Sequence, residues 1–236
     1  MKKTIIVMPV ANEEATMAGL IEEILALPYD NLYLYPVVDD YSKDGTADII
    51  RSYENTGRVK LIYYKESKGV ITCYLEGFRR ALADGAERII EMDGGGSHKP
   101  SEIPQFIENL DKGYDCVWGS RFVEGGGISS QPLYRRILSS GGTILANVVL
   151  GTRLKDMTSG FEGFQAPVLR KLKLDEFLSL GHMYQTEMRY YCRKLNAIEV
   201  PIHYVGSSSS LKVSSVTEAL RILFELRKHE RRVWND

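Results

Sequence analysis

The sequence has few cysteines and no long run of apolar residues, and each shortage excludes a class of protein. Cys73, Cys116 and Cys192 lie far apart with no CxxC spacing, so no disulfide framework is written into the chain. No stretch approaches the roughly 18 uninterrupted apolar residues that a membrane-crossing helix needs, which confines any membrane contact to the surface. An excess of one charge is missing too, since 30 Lys and Arg stand against 31 Asp and Glu. That balance gives no electrostatic case for stable nucleic-acid binding, so an anionic partner has to be met by local groups. Strand-like residues begin at Thr4 without the features of a signal peptide. A reducing, cytoplasmic location is the expectation, on the membrane face if the chain meets lipid.

What the sequence does have is alternation. Residues 4–8 form a β-branched run closed by Pro9, and residues 13–27 carry Met17, Leu20, Ile21, Ile24 and Leu25 at helical spacing. The pattern then predicts strands over 32–38, 59–64 and 88–92, with helices over 46–53 and 69–84. Beyond these come a helix over 103–110, a strand over 115–118, a glycine-rich loop at 125–127 and an apolar helix from about 137 to 150. A loop over 156–161, a helix over 186–195, a strand over 198–204 and a last helix from 216 to about 232 complete the reading. Strands alternating with helices predict an α/β fold with a mostly parallel sheet covered on both faces. The 236 residues suit one domain of this kind.

In such sheets, ligands bind beyond the carboxyl ends of the strands. Three polar clusters fall there: Asn12-Glu13-Glu14, Asp39-Asp40, and Asp93-Gly94-Gly95-Gly96-Ser97-His98. Carboxylates at strand ends suit a nucleoside diphosphate sugar, hydrogen-bonding its ribose and holding a hard cation, Mg²⁺ or Mn²⁺, on its diphosphate. Asp93 is the natural metal ligand, and the glycines behind it allow close backbone approach. Each residue also has a plainer reading. Asp39 and Asp44 suit turns and caps, His98 suits a loop-orienting hydrogen bond, and Glu187 suits an ion pair within its helix.

The ordered set Pro9-Val10-Ala11-Asn12-Glu13, Val38-Asp39-Asp40-Tyr41-Ser42-Lys43-Asp44-Gly45-Thr46, Lys68-Gly69, Met92-Asp93, Ser97-His98-Lys99-Pro100 and Gly119-Ser120-Arg121-Phe122 continues further on. Arg135-Arg136 with Ser139, Thr158-Ser159-Gly160-Phe161, Tyr184-Gln185-Thr186-Glu187-Met188 and Glu199-Val200-Pro201-Ile202 follow in order. In this set the chain resembles family 2 glycosyltransferases of the GT-A fold, particularly the dolichyl- and polyprenyl-phosphate branch. The resemblance implies one GT-A domain over 1–236, with a nucleotide-sugar half at 1–118 and an acceptor half at 119–236. It implies a donor site of Pro9, Ala11, Glu13, Val38, Asp39, Asp40, Lys68, Asp93, Gly94, Gly95 and Gln185. Asp93, Arg121 and Glu187 would be catalytic, and Arg121, Arg135, Arg136, Ser139 and Lys212 would meet phosphate. The metal would rest on Asp93, with Ser97 as a second candidate.

The implied reaction inverts the sugar carbon, and a lipid phosphate acceptor, already ionised, needs no strong base. Three other readings compete. A hydroxyl acceptor on a glycan, a protein or a modified nucleic acid needs a base from Glu187 or Asp156. A non-catalytic sugar-nucleotide module is the second. A dehydrogenase is opposed by the first loop, which has no glycine before Gly19. The chain departs from the family pattern at two places. The DxD signature reads Asp93-Gly94-Gly95, without its second carboxylate. Near the C-terminus, Gly206, four serines and Leu211 leave only Lys212 as a phosphate-binding cation.

Overall fold

The computed structural model describes residues 2–129, 133–179, 181, 183–206, 214–229 and 233–234, with side chains in the two late helices described for 139–150 and 219–228. The first apolar run becomes β1 (Thr4–Val10), buried along its whole length. It pairs in parallel with β2 (Leu32–Val38) on one side. Strand β3 (Ile62–Tyr63) extends the sheet beyond β2, and β4 (Arg88–Glu91) pairs with the other side of β1. Later come β5 (Cys116–Ser120), β6 (Gly127–Ser129), β7 (Glu162–Gln165), β8 (Ala197–Pro201) and β9 (His203–Val205). The main sheet runs β3-β2-β1-β4-β7-β5-β8, and β6 pairs with β9 separately.

Helices cover both faces as the alternation predicts. They are α1 (Met17–Leu25), α2 (Thr46–Ser52), α3 (Val70–Ala83), α4 (Ile103–Asp111), α5 (Leu133–Leu150), α6 (Ala166–Lys171), α7 (Tyr184–Tyr191) and α8 (Ser214–His229). Successive strand side chains point to opposite faces. Thus Ile5 and Val7 join Phe78, Trp118, Phe164 and Tyr184 in one core, while Ile6 and Met8 join Met17, Ile24, Phe106 and Phe161 in the other. Among the described residues no helix is long and apolar enough to cross a membrane.

The structure departs from the sequence reading where local pattern is weak. Strand β7 went unread because Glu-Gly-Phe-Gln has no β-branched run, yet it lies antiparallel between β4 and β5. Its Gly163 sits under α4, where an added Cβ would come 3.2 Å from Phe106 and 3.4 Å from Leu110. The expected strand over 198–204 divides at Ile202, β8 joining the main sheet and β9 joining β6. The expected strand over 59–64 shrinks to β3, with Val59 making only a bridge to Leu34. Helix α1 starts at Met17 and not near Glu13, because Asn12 has a positive φ of 57° and residues 13–16 form a turn. The apolar helix starts earlier than expected, at Leu133, and the helix over 186–195 runs from Tyr184 to Tyr191 before tightening into a 3₁₀ turn.

Helix α3 lies directly on the sheet because Gly77 has no side chain. A Cβ there would come 2.3 Å from Val7 Cγ1 and 3.0 Å from Val37 Cγ2. Gly77→Ala is therefore expected to lower stability by about 1–3 kcal/mol through overpacking. Gly19→Ala, in the open surface of α1 with nothing within 4 Å of the new methyl, is expected to raise stability by about 0.5–1 kcal/mol. Urea denaturation of both variants checks the pair, and equal effects would refute the close approach.

Candidate active site

The carboxyl ends of β1, β2 and β3 open into a cleft of about 650 Å³ lined by Pro9, Ala11, Asp39, Asp40, Lys65 and Cys73 among others. Its walls are two loops tied together by side-chain to backbone hydrogen bonds. The Asn12 amide donates to the Tyr41 carbonyl at 3.3 Å and its Oδ1 accepts from Lys43 N at 2.9 Å. Asp44 accepts from Glu14 N, Thr46 N and the Thr46 hydroxyl, which together hold its carboxyl below the usual range, the Thr46 hydroxyl most of all. Asp44 is thus a turn residue. Asp39 accepts from the Ser67 hydroxyl at 2.6 Å and from Tyr41 N at 3.0 Å, while Asp40 accepts from the Tyr63 hydroxyl at 2.8 Å. Burial pushes the Cys73 thiol up to about 11, so it stays a neutral wall of the cleft.

Asp93 follows β4 at the neighbouring strand end. The Tyr74 hydroxyl on α3 donates to its Oδ1 at 2.7 Å, and the Ser97 hydroxyl lies 3.4 Å from its Oδ2. Buried His98 accepts the Asp93 backbone N–H at Nδ1, 3.1 Å away, and its ring stacks on Phe161 at 4.8 Å. Burial lowers its pKa, so the ring is neutral and orients the loop. The three glycines serve separate ends. A Cβ at Gly94 would strike the Pro9 carbonyl at 2.8 Å, Gly96 has a left-handed φ of 71°, and a Cβ at Gly95 would meet the Glu13 carboxylate. Across the site, a Cβ at Gly160 would come within 3.5 Å of both Gln185 Nε2 and Asp93 Oδ1, so those two side chains converge.

Arg121 belongs to a second centre. Its Nε and Nη2 donate to Asp156 at 2.7 and 2.8 Å, and Nη2 also reaches the Ser139 hydroxyl at 3.0 Å and the Thr158 hydroxyl at 2.6 Å. Nη1 has no hydrogen-bond partner among the described residues. Burial pushes the Asp156 carboxyl up, but the hydrogen bonds and charge of Arg121 outweigh it and hold the group at about 2. Glu187, expected beside the sugar, is fully buried. Its carboxylate accepts from Leu178 N at 2.7 Å, Ser179 N at 2.8 Å and the Tyr191 hydroxyl at 2.8 Å.

The other expected residues divide by place. Val38 turns into the core while Val37 reaches the cleft floor, and Lys68 lines a smaller neighbouring cleft while Lys65 lines the main one. Glu13 is absent from the cleft lining and lies over Gly95. The side chains of Arg135 and Arg136, and all of Lys212, lie outside the described residues. Tyr74, Tyr63, Ser67 and Lys65 were missed, and only Lys65, three residues before Lys68 of the Lys68-Gly69 motif, carried a local signal.

A mostly parallel sheet with helices on both faces and carboxylates beyond its strand ends defines an α/β fold of the GT-A type. The chain belongs to glycosyl transferase family 2, whose model matches residues 5–173, and it is a glycosyltransferase. It is 35% identical to the undecaprenyl-phosphate mannosyltransferase of Micrococcus luteus over 173 residues, 72% of this chain and 70% of that one. It is 29% identical to the polyprenol monophosphomannose synthase of Mycolicibacterium smegmatis over 229 residues, 93% of this chain and 84% of that one. Its fold matches glucosyl-3-phosphoglycerate synthase from Mycobacterium tuberculosis, solved with Mn²⁺, uridine diphosphate and glucosyl-3-phosphoglycerate. That match has a TM-score of 0.67 and 15% identity, covering 97% of this chain and 80% of that one.

The Arg121–Asp156 pair carries a pH signature. An aspartate held below its ordinary value contributes stability that is present above the unfolded pKa and lost as pH falls toward the folded one. Asp156→Asn leaves Arg121 buried without its anion and is expected to cost roughly 3–5 kcal/mol near pH 7. The difference from the parent should shrink by about 2 kcal/mol between pH 5 and pH 2. Urea denaturation across that range checks it, and a difference independent of pH would refute the ion pair.

Proposed function

We propose that the chain transfers a sugar from a nucleoside diphosphate donor, GDP-mannose or a UDP-sugar, to a polyprenyl phosphate, inverting the anomeric carbon. Its relatives from Micrococcus luteus and Mycolicibacterium smegmatis, named for polyprenyl-phosphate mannose transfer, support the acceptor class. The single observation that carries the reading is the fate of two carboxylates. An enzyme acting on a hydroxyl needs a base, and Asp156 and Glu187 are the residues the sequence offers. Asp156 is fully buried and bound to Arg121, and Glu187 is fully buried and bound to two backbone N–H groups. Neither reaches an acceptor. A phosphate monoester needs no base because its attacking oxygen is already an anion.

On this reading, an acceptor phosphate oxygen forms the new bond to the anomeric carbon as the bond to the donor diphosphate breaks. No proton moves, and the nucleoside diphosphate leaves. Asp40 and Asp39 hold the nucleoside end in the cleft, and Gln185 faces the sugar beside Asp93. Arg121, with Nη1 left over from its pairing, meets phosphate together with Ser139, Arg135, Arg136 and Lys212. A divalent cation, Mg²⁺ or Mn²⁺, supplies charge neutralisation for the leaving diphosphate. The oxygen donors at Asp93 and Ser97 would fit such a hard cation. Residues 1–118 serve the donor and residues 119–236 the acceptor within one domain.

The acceptor's chain needs an apolar surface. Ile144 and Val148 on α5 are 63% and 76% exposed, and Phe224 on α8, which packs against α5, is 60% exposed. We assign these side chains to peripheral contact with the cytoplasmic membrane face, since exposed apolar groups on packed helices are solvated at a cost that a bilayer removes.

Three measurements test this. Labelled nucleotide sugars incubated with polyprenyl phosphate should move label into organic solvent, and donor hydrolysis without any lipid-linked product would refute the acceptor. Asp93→Asn should cut transfer by at least about a hundredfold, the range of a lost electrostatic contact to the reacting charge, while leaving the melting temperature unchanged. Near-parental turnover would sink the role of Asp93. Ile144→Ser with Val148→Ser and Phe224→Ser should reduce sedimentation with phosphatidylglycerol vesicles without changing nucleoside diphosphate affinity. Unchanged sedimentation would remove α5 and α8 from the membrane face.

A further inference from the structure

The DxD signature of this chain lacks its second carboxylate, and the structure holds another carboxylate in its place. A Cβ built on Gly95 would lie 3.2 Å from Glu13 Oε1 and 4.0 Å from its Cδ, with nothing else within 4 Å. The side chain that residue 95 lacks would begin where the end of Glu13 now sits. This follows from the sheet order, because β1 and β4 are neighbours and their carboxyl-end loops lie side by side. Three contacts hold Glu13 there. Its backbone N donates to the Thr46 hydroxyl at 2.8 Å, its carbonyl accepts from Met17 N at 2.9 Å at the start of α1, and its Oε2 accepts from the Thr16 hydroxyl at 2.9 Å. With Oε2 so occupied, Oε1 is the oxygen turned to Gly95, and it has no hydrogen-bond donor among the described residues.

We propose that Glu13 supplies the second carboxylate oxygen toward the divalent cation of the donor diphosphate, beside Asp93. The inference rests on the glycosyl-transfer reading of the cleft and goes beyond it by naming a ligand from a different loop. Mg²⁺ and Mn²⁺ are satisfied by one or two carboxylates together with phosphate oxygens and water, so Asp93 and Glu13 complete a sufficient protein set. Gly95 is then a requirement and not a lapse. Any side chain at that position would press on the Glu13 carboxylate, since 3.2 Å is closer than an ordinary contact with a Cβ.

The test is a calorimetric titration of Mn²⁺ into the full chain saturated with GDP or UDP, with the same nucleotide titrated in EDTA as a control. Glu13→Gln should weaken Mn²⁺ binding by about tenfold or more while leaving nucleotide affinity in EDTA and the melting temperature unchanged. Adding Gly95→Asp to Glu13→Ala, which empties the space over Gly95, should restore much of the Mn²⁺ affinity that Glu13→Ala loses, because the gap then receives a carboxylate from the other loop. In the parent background Gly95→Asp should give no such gain, the space being filled. A parent that binds nucleotide and Mn²⁺ together with a Glu13→Gln variant within twofold of it would overturn this proposal alone. A parent that binds neither would overturn the reading of the cleft as well.

Discussion

A buried charge problem lies at the centre of the sheet, and the active site stands on its solution. Glu91 and Glu162 face each other across the antiparallel pairing of β4 and β7, and both are fully buried. One guanidinium answers them: Arg189 of α7, itself fully buried, approaches Glu162 at 3.2 Å and lies 5.3 Å from the Trp118 ring. Two buried carboxylates against one cation cannot both stay ionised. Burial raises Glu91, and the neighbouring Glu162 charge raises it further; burial also raises Glu162, against the pull of Arg189. The pair therefore retains a proton at neutral pH. Because Arg189 joins α7 to β7, it fixes Tyr184 and Gln185 one turn earlier on the same helix. The Tyr184 hydroxyl reaches Glu91 at 3.3 Å, and its ring stacks on Tyr74, which holds Asp93.

This arrangement explains which parts of the fold were legible in the sequence. β1, β2 and β4 are buried on both faces, so their sequences are continuous apolar runs that pattern alone detects. β7 carries a buried Glu, a Gly and a Gln, residues that read as loop unless the partners that neutralise and cover them are known. Those partners, Arg189 and α4, lie far along the chain. The same holds for the division at Ile202. A single extended run looks like one strand, and only its partners, β5 for one half and β6 for the other, show that it divides.

The site was legible to the extent that the strand-end rule applies. Asp39, Asp40 and Asp93 were legible because chain order places them after strands, whereas Pro9 and Ala11, which line the cleft, came only from the resemblance to the family's motif. Glu13 was assigned to the nucleoside, but only the side-by-side loops of β1 and β4 reveal that it meets Gly95. Lys68 was chosen over Lys65 by motif, whereas the turn between β3 and α3 decides which lysine faces the cleft. Glu187, expected beside the sugar, and Asp156, named only as a base for a hydroxyl acceptor, are both buried and bound within the protein, and sequence does not reveal this for a general reason. A charged residue in a motif signals that its charge is used, without telling whether a substrate or the protein's own backbone and guanidinium groups use it.

That distinction bears on the chemistry. Asp156 spends its charge on Arg121, Glu187 spends its charge on the 178–179 backbone, and Glu91 with Glu162 spend theirs on Arg189 and a shared proton. The carboxylates left at the mouth, Asp39, Asp40, Asp93 and Glu13, stand at the ends of β1, β2 and β4, the side we assign to the donor and its cation. Asp156 and Glu187, the two bases that a hydroxyl acceptor would call on, are both committed to the protein itself. On the proposed reading, such a site selects its acceptor by ionisation. A sugar hydroxyl, protonated at neutral pH, would present a weak nucleophile that neither Asp156 nor Glu187 is placed to deprotonate, while a phosphate monoester would arrive with its attacking oxygen already charged and meet Arg121 and Ser139. The proposed preference for a phosphate acceptor then follows from what the interior of the protein has already taken.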